Sequence, residues 1–353
     1  MVEELEESDV NLFKPVVPTA QHHPNFRNLL RMGNGFTLDV LTDWAKGFVD
    51  RDGKFVTEFQ TTFNSSFWEL YLHAVLKKYG IPVDFTKARP DFCLPSNGFN
   101  IEATVASNAQ DFPPEHSRLG KVPPPDLNAF NLQSIIRLSN SLTAKHRKYL
   151  ESYAALDHVQ GNPYVLAITN FDQPFSFMAC QRPIEAVLHG YYVDEERYIA
   201  SGRRDGRLEG EALLKVFKDN GSPIELGLFA TPEYGEISAV IFSGCANMGK
   251  VRALSSDPSP GIAFTALRLN PASDQPHIIR APKQRYEENL LDGLRVYHNP
   301  YAIHPIDPTL FRHPSVFQSF YENDDWVYEQ REGQLLFRSV QTALTEPLRP
   351  ESQ

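Results

Sequence analysis

The chain has 353 residues, with 34 Lys and Arg against 44 Asp and Glu, a formal net charge of −10. Hydrophobic residues make up 41 %, enough to bury a full core, which excludes disorder as the main state. The acidic balance argues against coating nucleic acid through a bulk positive field but leaves room for a local basic groove.

The length allows one large domain or two medium ones, at roughly 100–200 residues each. No uncharged apolar stretch approaches the ~18–20 residues that cross a bilayer, so no membrane contact is expected. The acidic opening MVEELEESDV is not expected to be a secretory signal. Cys93, Cys180 and Cys245 are odd in number, far apart and never in a CxxC, which argues against a disulfide framework and a structural zinc site. The expectation is a reduced, cytoplasmic protein.

Residues 1–25 read as a loosely held arm, acid-rich first and then broken by Pro15, Pro18 and Pro24. The run NSSFWELYLHAVLKKY predicts a helix over Asn64–Tyr79, capped by Asn64, Ser65 or Ser66 and stopped by Gly80-Ile81-Pro82. Three short strands are expected next: Val83–Thr86, Asp91–Leu94 and the cleanly alternating Phe99–Ala106. Residues 107–127 form a Pro-rich connection of a length that is usually functional or disordered. A long helical pattern runs from Leu127 to Asp157 and closes at Gly161-Asn162-Pro163, and Tyr164–Thr169 is a compact apolar strand. In the second half, strands are expected at Ile224–Ala230 and Ile237–Phe242, joined as a hairpin across Pro232-Glu233-Tyr234-Gly235, and then at Ala263–Leu269 and Leu294–Tyr297. The expected organisation is the arm (1–25), an α/β domain (26–172) and a β-rich C-terminal region (173–353).

Charge placement is the informative feature. Between Glu58 and Lys77 the only charged residue is Glu69, set among Phe67, Trp68, Leu70 and Tyr71. A carboxylate buried there unpaired would cost several kcal/mol, on the order of ~5. Between Arg89 and Asp111 the only charges are Asp91 and Glu102. Alternation puts Glu102 with Asn100 and Thr104 on one strand face, and a neighbouring second strand would bring Asp91 near it. Two carboxylates so placed repel unless a cation neutralises them, and an all-oxygen pair suits Mg²⁺. On the long helix, Leu138, Leu142, Lys145 and Tyr149 share an inward stripe, whereas Lys148 falls on the polar side.

These residues resemble the PD-(D/E)xK nuclease superfamily, with its restriction-endonuclease-like fold, over about residues 60–170. Glu69 matches in the first helix, Pro90-Asp91 opens the second strand, and Glu102-Ala103-Thr104 lies on the third. Lys145-x-x-x-Tyr149 looks like the Q-x-x-x-Y element of some members. Thr104 stands where the family's lysine is expected, and Lys145 is the plausible replacement from the following helix. The resemblance implies an αβββαβ core in an α/β protein with a β-rich C-terminal extension. It implies hydrolysis of phosphodiester bonds in DNA, with RNA as the second choice, by Mg²⁺ or Mn²⁺ held on Asp91, Glu102 and the Ala103 carbonyl. Lys145 would orient water or stabilise the phosphorane, with Glu69 completing the site. Thr104, Tyr149, Arg147 and Lys148 would contact substrate, and a homodimer is allowed for. A catalytically inactive relative that binds nucleic acid or protein is the first alternative.

A second alternative is a nucleotide-binding enzyme using Gly244–Val251, which reads G-x-x-x-x-G-K-V after an apolar strand. Val251 stands where Ser or Thr must ligate Mg²⁺, and the prolines that follow argue against a sustained helix, so a Gly-bounded turn is the better expectation. His298, His304, Asp307 and His313 sit among prolines and read as structural loop, as does Arg203–Arg207.

Overall fold

The computed structural model describes residues 10–108, 112–118, 121–202, 210–273 and 275–342. Four helices come first: α1 (Pro24–Met32), α2 (Gly35–Ala45), α3 (Phe55–Thr61) and α4 (Asn64–Lys78). Strands β1 (Phe92–Leu94) and β2 (Phe99–Val105) precede the long α5 (Leu127–Lys148), which runs into a π turn over Tyr149–Tyr153 and leads to β3 (Tyr164–Thr169). Next come α6 (Arg182–His189), β4 (Tyr191–Val193), α7 (Glu195–Ala200) and the short β5 (Gly210–Ala212), β6 (Lys215–Phe217) and β7 (Pro223–Glu225). Then β8 (Ala239–Phe242) and α8 (Met248–Leu254) are followed by β9 (Ile262–Arg268), β10 (His277–Pro282), β11 (Arg295–His298), β12 (Phe317–Glu322), β13 (Asp325–Glu329) and β14 (Leu335–Thr342).

The fold is mixed α/β around a seven-stranded sheet of order β1-β2-β3-β8-β11-β12-β13. Strands β2, β3 and β8 run parallel, with β1 antiparallel at the edge and β11 antiparallel to β8. Alternation splits the core in two. Ile101, Val165, Ala167 and Ile241 pack on one face under α2–α4, whereas Leu166, Ile168, Val240 and Phe242 pack on the other with α5 and α6. A separate antiparallel sheet, β10-β9-β14, carries its own small core. The large sheet continues past residue 172, because β3 hydrogen-bonds to β8, so the expected 26–172 and 173–353 regions share one sheet.

Several expectations need correcting. Val83–Thr86 is not a strand: Asp84 N–H reaches Cys93 O of β1 (2.8 Å), but Asp84 Oδ1 then accepts from both the N–H (2.9 Å) and the hydroxyl (2.6 Å) of Thr86, a turn that keeps a ladder from continuing. The N-terminal order is therefore helix, two strands, helix, strand, one strand short of αβββαβ. The expected hairpin over 224–242 is also absent. Ile224 pairs with Val216 in a small two-stranded unit, and β8 inserts between β3 and β11. Gly227, at φ +75°, turns the chain away before a strand through Ala230 can form.

Helix α4 ends as its sequence requires. Gly80 adopts φ +68°, with Ile81 N–H on Leu76 O (3.0 Å) and Gly80 N–H on Lys77 O (3.0 Å), a Schellman closure. Its start differs from expectation: Phe63 occupies the cap position, and Asn64 spends its side chain on Asp172 (2.9 Å) and Asn25 (3.1 Å). Residues 10–25 of the expected arm are anchored to the body at particular side chains. Leu12 is buried, and the Gln60 amide donates to Leu12 O and Lys14 O while accepting from Val16 N–H. Residues 1–9 and Arg203–Arg207 lie outside the described residues.

Candidate active site

Strand β2 turns Ile101 and Ala103 toward α4 and therefore Glu102 toward α5. Glu102 is 2 % exposed. A lone carboxylate there would be too costly to keep ionised, and α5 answers it. Lys145 Nζ lies 2.7 Å from Glu102 Oε1, Lys148 Nζ 3.1 Å, and the Tyr153 hydroxyl donates to the same oxygen at 3.2 Å. The second oxygen, Oε2, is buried with no hydrogen-bond partner. Lys145 also donates to Ala103 O at 3.4 Å.

The antiparallel register pairs Phe92 with Ile101 and brings Asp91 to the free edge of β2 just beyond the short β1. There Asp91 Oδ2 accepts the Ala103 N–H at 2.7 Å. Burial, and next the charge of Glu102, push the Asp91 carboxyl up to about 6; the Ala103 hydrogen bond and Lys145 pull the other way. Asp91, Glu102, the Ala103 carbonyl and Lys145 thus converge at one edge.

Glu69 arrives from the opposite face, on α4. Burial raises its carboxyl well above the ordinary range, and Asp91 is the charge that adds most to this, with Glu102 among the smaller contributors. It neighbours Asp91 around the strand edge rather than joining Glu102 beneath α5. Arg51 opposes that rise, and its guanidinium is held by Lys87 O and Pro90 O.

The remaining expected residues divide. Thr104 is half-buried on the same alternation as Glu102, and Arg147 is exposed on α5. Tyr149 does not reach the carboxylates; it is buried with its ring 4.4 Å from that of Tyr164. Lys148, placed on the polar side by helical spacing, does reach Glu102, and Tyr153 was not foreseen. Lys148 stands three positions after Lys145 and so shares its side of α5, whereas Tyr153 is brought in by the π turn, closed by Ala154 N–H on Tyr149 O at 2.9 Å. Inserting the wider turn rotates Tyr153 under Lys148, whose ammonium sits 4.8 Å from its ring centroid.

The donors fit a hard divalent ion. Glu102 Oε2 lacks a partner, Asp91 Oδ1 lies outside the bond to Ala103, and the Ala103 carbonyl shares the edge. This is an all-oxygen set with two carboxyls that repel each other, which is the donor chemistry Mg²⁺ and Mn²⁺ take.

In the glycine-bounded turn the lysine is taken up inside the fold. A short helix, α8, does follow it, capped by Asn247 on Gly249 N–H (2.9 Å). Lys250, however, is 0 % exposed, with Nζ on Asp292 O (2.7 Å), Asn289 O (2.9 Å) and the Glu288 carboxylate. Arg338 binds the other Glu288 oxygen at 3.0 Å. His298 likewise has a structural role: Nε2 bonds Gln318 Oε1 at 2.9 Å and its ring stacks on Phe320.

A different group gathers elsewhere. His23, Glu115 and His116 bring their ligand-type atoms within 4.8 Å of one another, the one such group of three or more among the described residues. Glu115 and His116 line a cavity of about 420 Å³ that contains none of Asp91, Glu102 and Lys145. No family model matches the chain, and neither a curated protein nor a solved structure matches it. Among the described residues no helix is long and apolar enough to cross a membrane.

Proposed function

We propose that the chain is a metal-dependent phosphodiesterase acting on nucleic acid, with DNA as the preferred substrate. The observation that carries this reading is the meeting of Lys145, Glu102, Asp91 and the Ala103 carbonyl at the open edge of β2. Asp91, Glu102 and the Ala103 carbonyl would hold the ion. When bound, Mg²⁺ or Mn²⁺ would polarise the scissile phosphate and lower the pKa of a water beside it. Lys145, already an ammonium's length from both Glu102 and the Ala103 carbonyl, would face the developing phosphorane charge. Lys148 and Arg147, both exposed on α5, would track the neighbouring phosphates. Glu69 would act through Asp91, holding or releasing a proton next to it.

A second reading, a binding-only relative of the same fold, is favoured by one feature. Lys145 and Lys148 both pair with Glu102 Oε1, which balances its charge from within the fold. One experiment separates the two. Plasmid, linear and single-stranded DNA and RNA are incubated with Mg²⁺ or Mn²⁺, beside Asp91→Ala and Lys145→Ala. Hydrolysis lost in both variants supports the phosphodiesterase. Retention of all substrates uncut, with DNA still bound in a mobility-shift assay, supports the binding module. Cutting that survives both substitutions overturns the site.

A further inference from the structure

We propose that His23, Glu115 and His116 form a Zn²⁺ site whose remaining coordination position opens into the cavity beside it. The group is not a surface cluster of acids. Glu115 is 5 % exposed and stands between two imidazoles, with Oε1 3.6 Å from His23 Nε2 and Oε2 3.8 Å from His116 Nδ1. Those separations are too long for hydrogen bonds and suit donors gathered around a common centre. The His116 Nδ1 atom is itself buried and has no hydrogen-bond partner. An imidazole nitrogen in that state is either an unexplained loss or a ligand atom awaiting its ion.

The surroundings select the chemistry. Asn25 donates to Glu115 Oε1 at 2.8 Å, orienting the carboxylate as an outer partner orients a ligand. Two imidazoles and one carboxylate match Zn²⁺ rather than Mg²⁺ or Ca²⁺, and three protein ligands are the pattern of a site with an exchangeable position. Loading would move the His23 ring proton from Nε2 to Nδ1 and give up one bond, the 3.2 Å cap from Asn25 N–H.

Location supports the same conclusion. The cavity lies at the carboxyl ends of the three parallel strands, where α/β sheets place their ligands. Glu115 and His116 follow β2, Phe171 follows β3, and Asn247 and Gly249 follow β8, so each strand's next segment supplies a wall. The proposal is independent of the phosphodiesterase reading.

The test uses the full chain, stripped with a chelator, dialysed and titrated with Zn²⁺ against a chromophoric competitor. One Zn²⁺ per chain is expected, with affinity at least ~100-fold weaker in His116→Ala and Glu115→Gln and unchanged in Asp91→Asn. Co²⁺ should give the visible d–d bands of a four-coordinate site, and these should vanish in His116→Ala. The His116 side chain is 30 % exposed, so that variant keeps the fold even where Glu115→Gln does not. Zn²⁺ uptake equal in wild type and a folded His116→Ala, or no uptake by the stripped wild type, would overturn the proposal.

Discussion

Lys145 and Glu102, 43 positions apart, meet at 2.7 Å where α5 crosses β2, and the carboxylate of the pair is almost wholly removed from water. Such a contact links stability to chemistry. On the proposed phosphodiesterase reading, Lys145→Ala is expected to lower hydrolysis by at least ~100-fold. It should leave the fold intact, because Lys148 and Tyr153 still hold Glu102 Oε1. Removing Lys145 and Lys148 together strips the buried charge of both counter-ions. Urea unfolding of the double variant should then show a loss on the order of ~3–5 kcal/mol, more than the two single losses added. Additive small losses would mean that Glu102 is neutralised in another way.

Asp91 gives a pH signature whose sign is opposite to that of a salt-bridged acid. Its carboxyl is raised from 3.8 to about 6 by burial and by Glu102, so the native chain takes up this proton before the unfolded chain does. The resulting penalty is fully present above pH 6 and fades as pH falls toward 3.8. Asp91→Asn keeps an acceptor for Ala103 N–H and removes the penalty. At pH 7 the variant should be the more stable by roughly 1–3 kcal/mol, with the gap closing near pH 4. Saturating Mn²⁺ should raise the melting temperature of the wild type and not that of Asp91→Asn. Parallel unfolding curves at both pH values would argue against a strained carboxyl.

How much of this was legible in the sequence follows from what each signal depends on. Helix α4 was readable because its apolar spacing and Gly80 are local features, and β2 because alternation from Phe99 exposes which face Glu102 takes. Lys145 was readable as a charge on an apolar stripe. The π turn at Tyr149–Tyr153 was not, because nothing in YLESY specifies a wider turn, so helical spacing carries no sign that Tyr153 approaches Glu102. Val83–Thr86 failed as a strand because the Asp84 side chain takes the Thr86 N–H in a turn before a ladder can extend. The chain order of strands in the second half was beyond reach: β8 is flanked by β3 and β11, partners far away in sequence. The gathering of His23 with Glu115 and His116 depends on a contact between segments far apart in the chain, of the kind Asn25 makes with Glu115 across 90 positions.

Tyr153 and Tyr149 offer a test of that register shift. Tyr153→Phe deletes the 3.2 Å bond to Glu102 Oε1 and should lower stability by about 1 kcal/mol. It should also weaken the positioning of Lys148, whose ammonium rests on that ring. Tyr149→Phe leaves the contact with Tyr164 in place and should change neither stability nor hydrolysis more than about twofold. A larger effect from Tyr149→Phe would mean that Tyr149 rather than Tyr153 approaches Glu102 and imply an unbroken helix through it.

Lys250 decides the nucleotide-binding alternative. In a phosphate-cradling loop its ammonium would be free to meet the ligand, yet here it is wholly buried against two carbonyls and Glu288. Lys250→Met replaces the stem but strands Glu288 with Arg338 as its one remaining ionic partner at that centre. The expected loss is about 3–5 kcal/mol, seen as a lower urea midpoint at unchanged slope. Wild-type protein should show no thermal shift with ATP and Mg²⁺, because releasing the lysine would first break that buried pair. A stabilisation of several degrees by ATP, abolished in a folded Lys250→Arg variant, would instead place a phosphate at this turn.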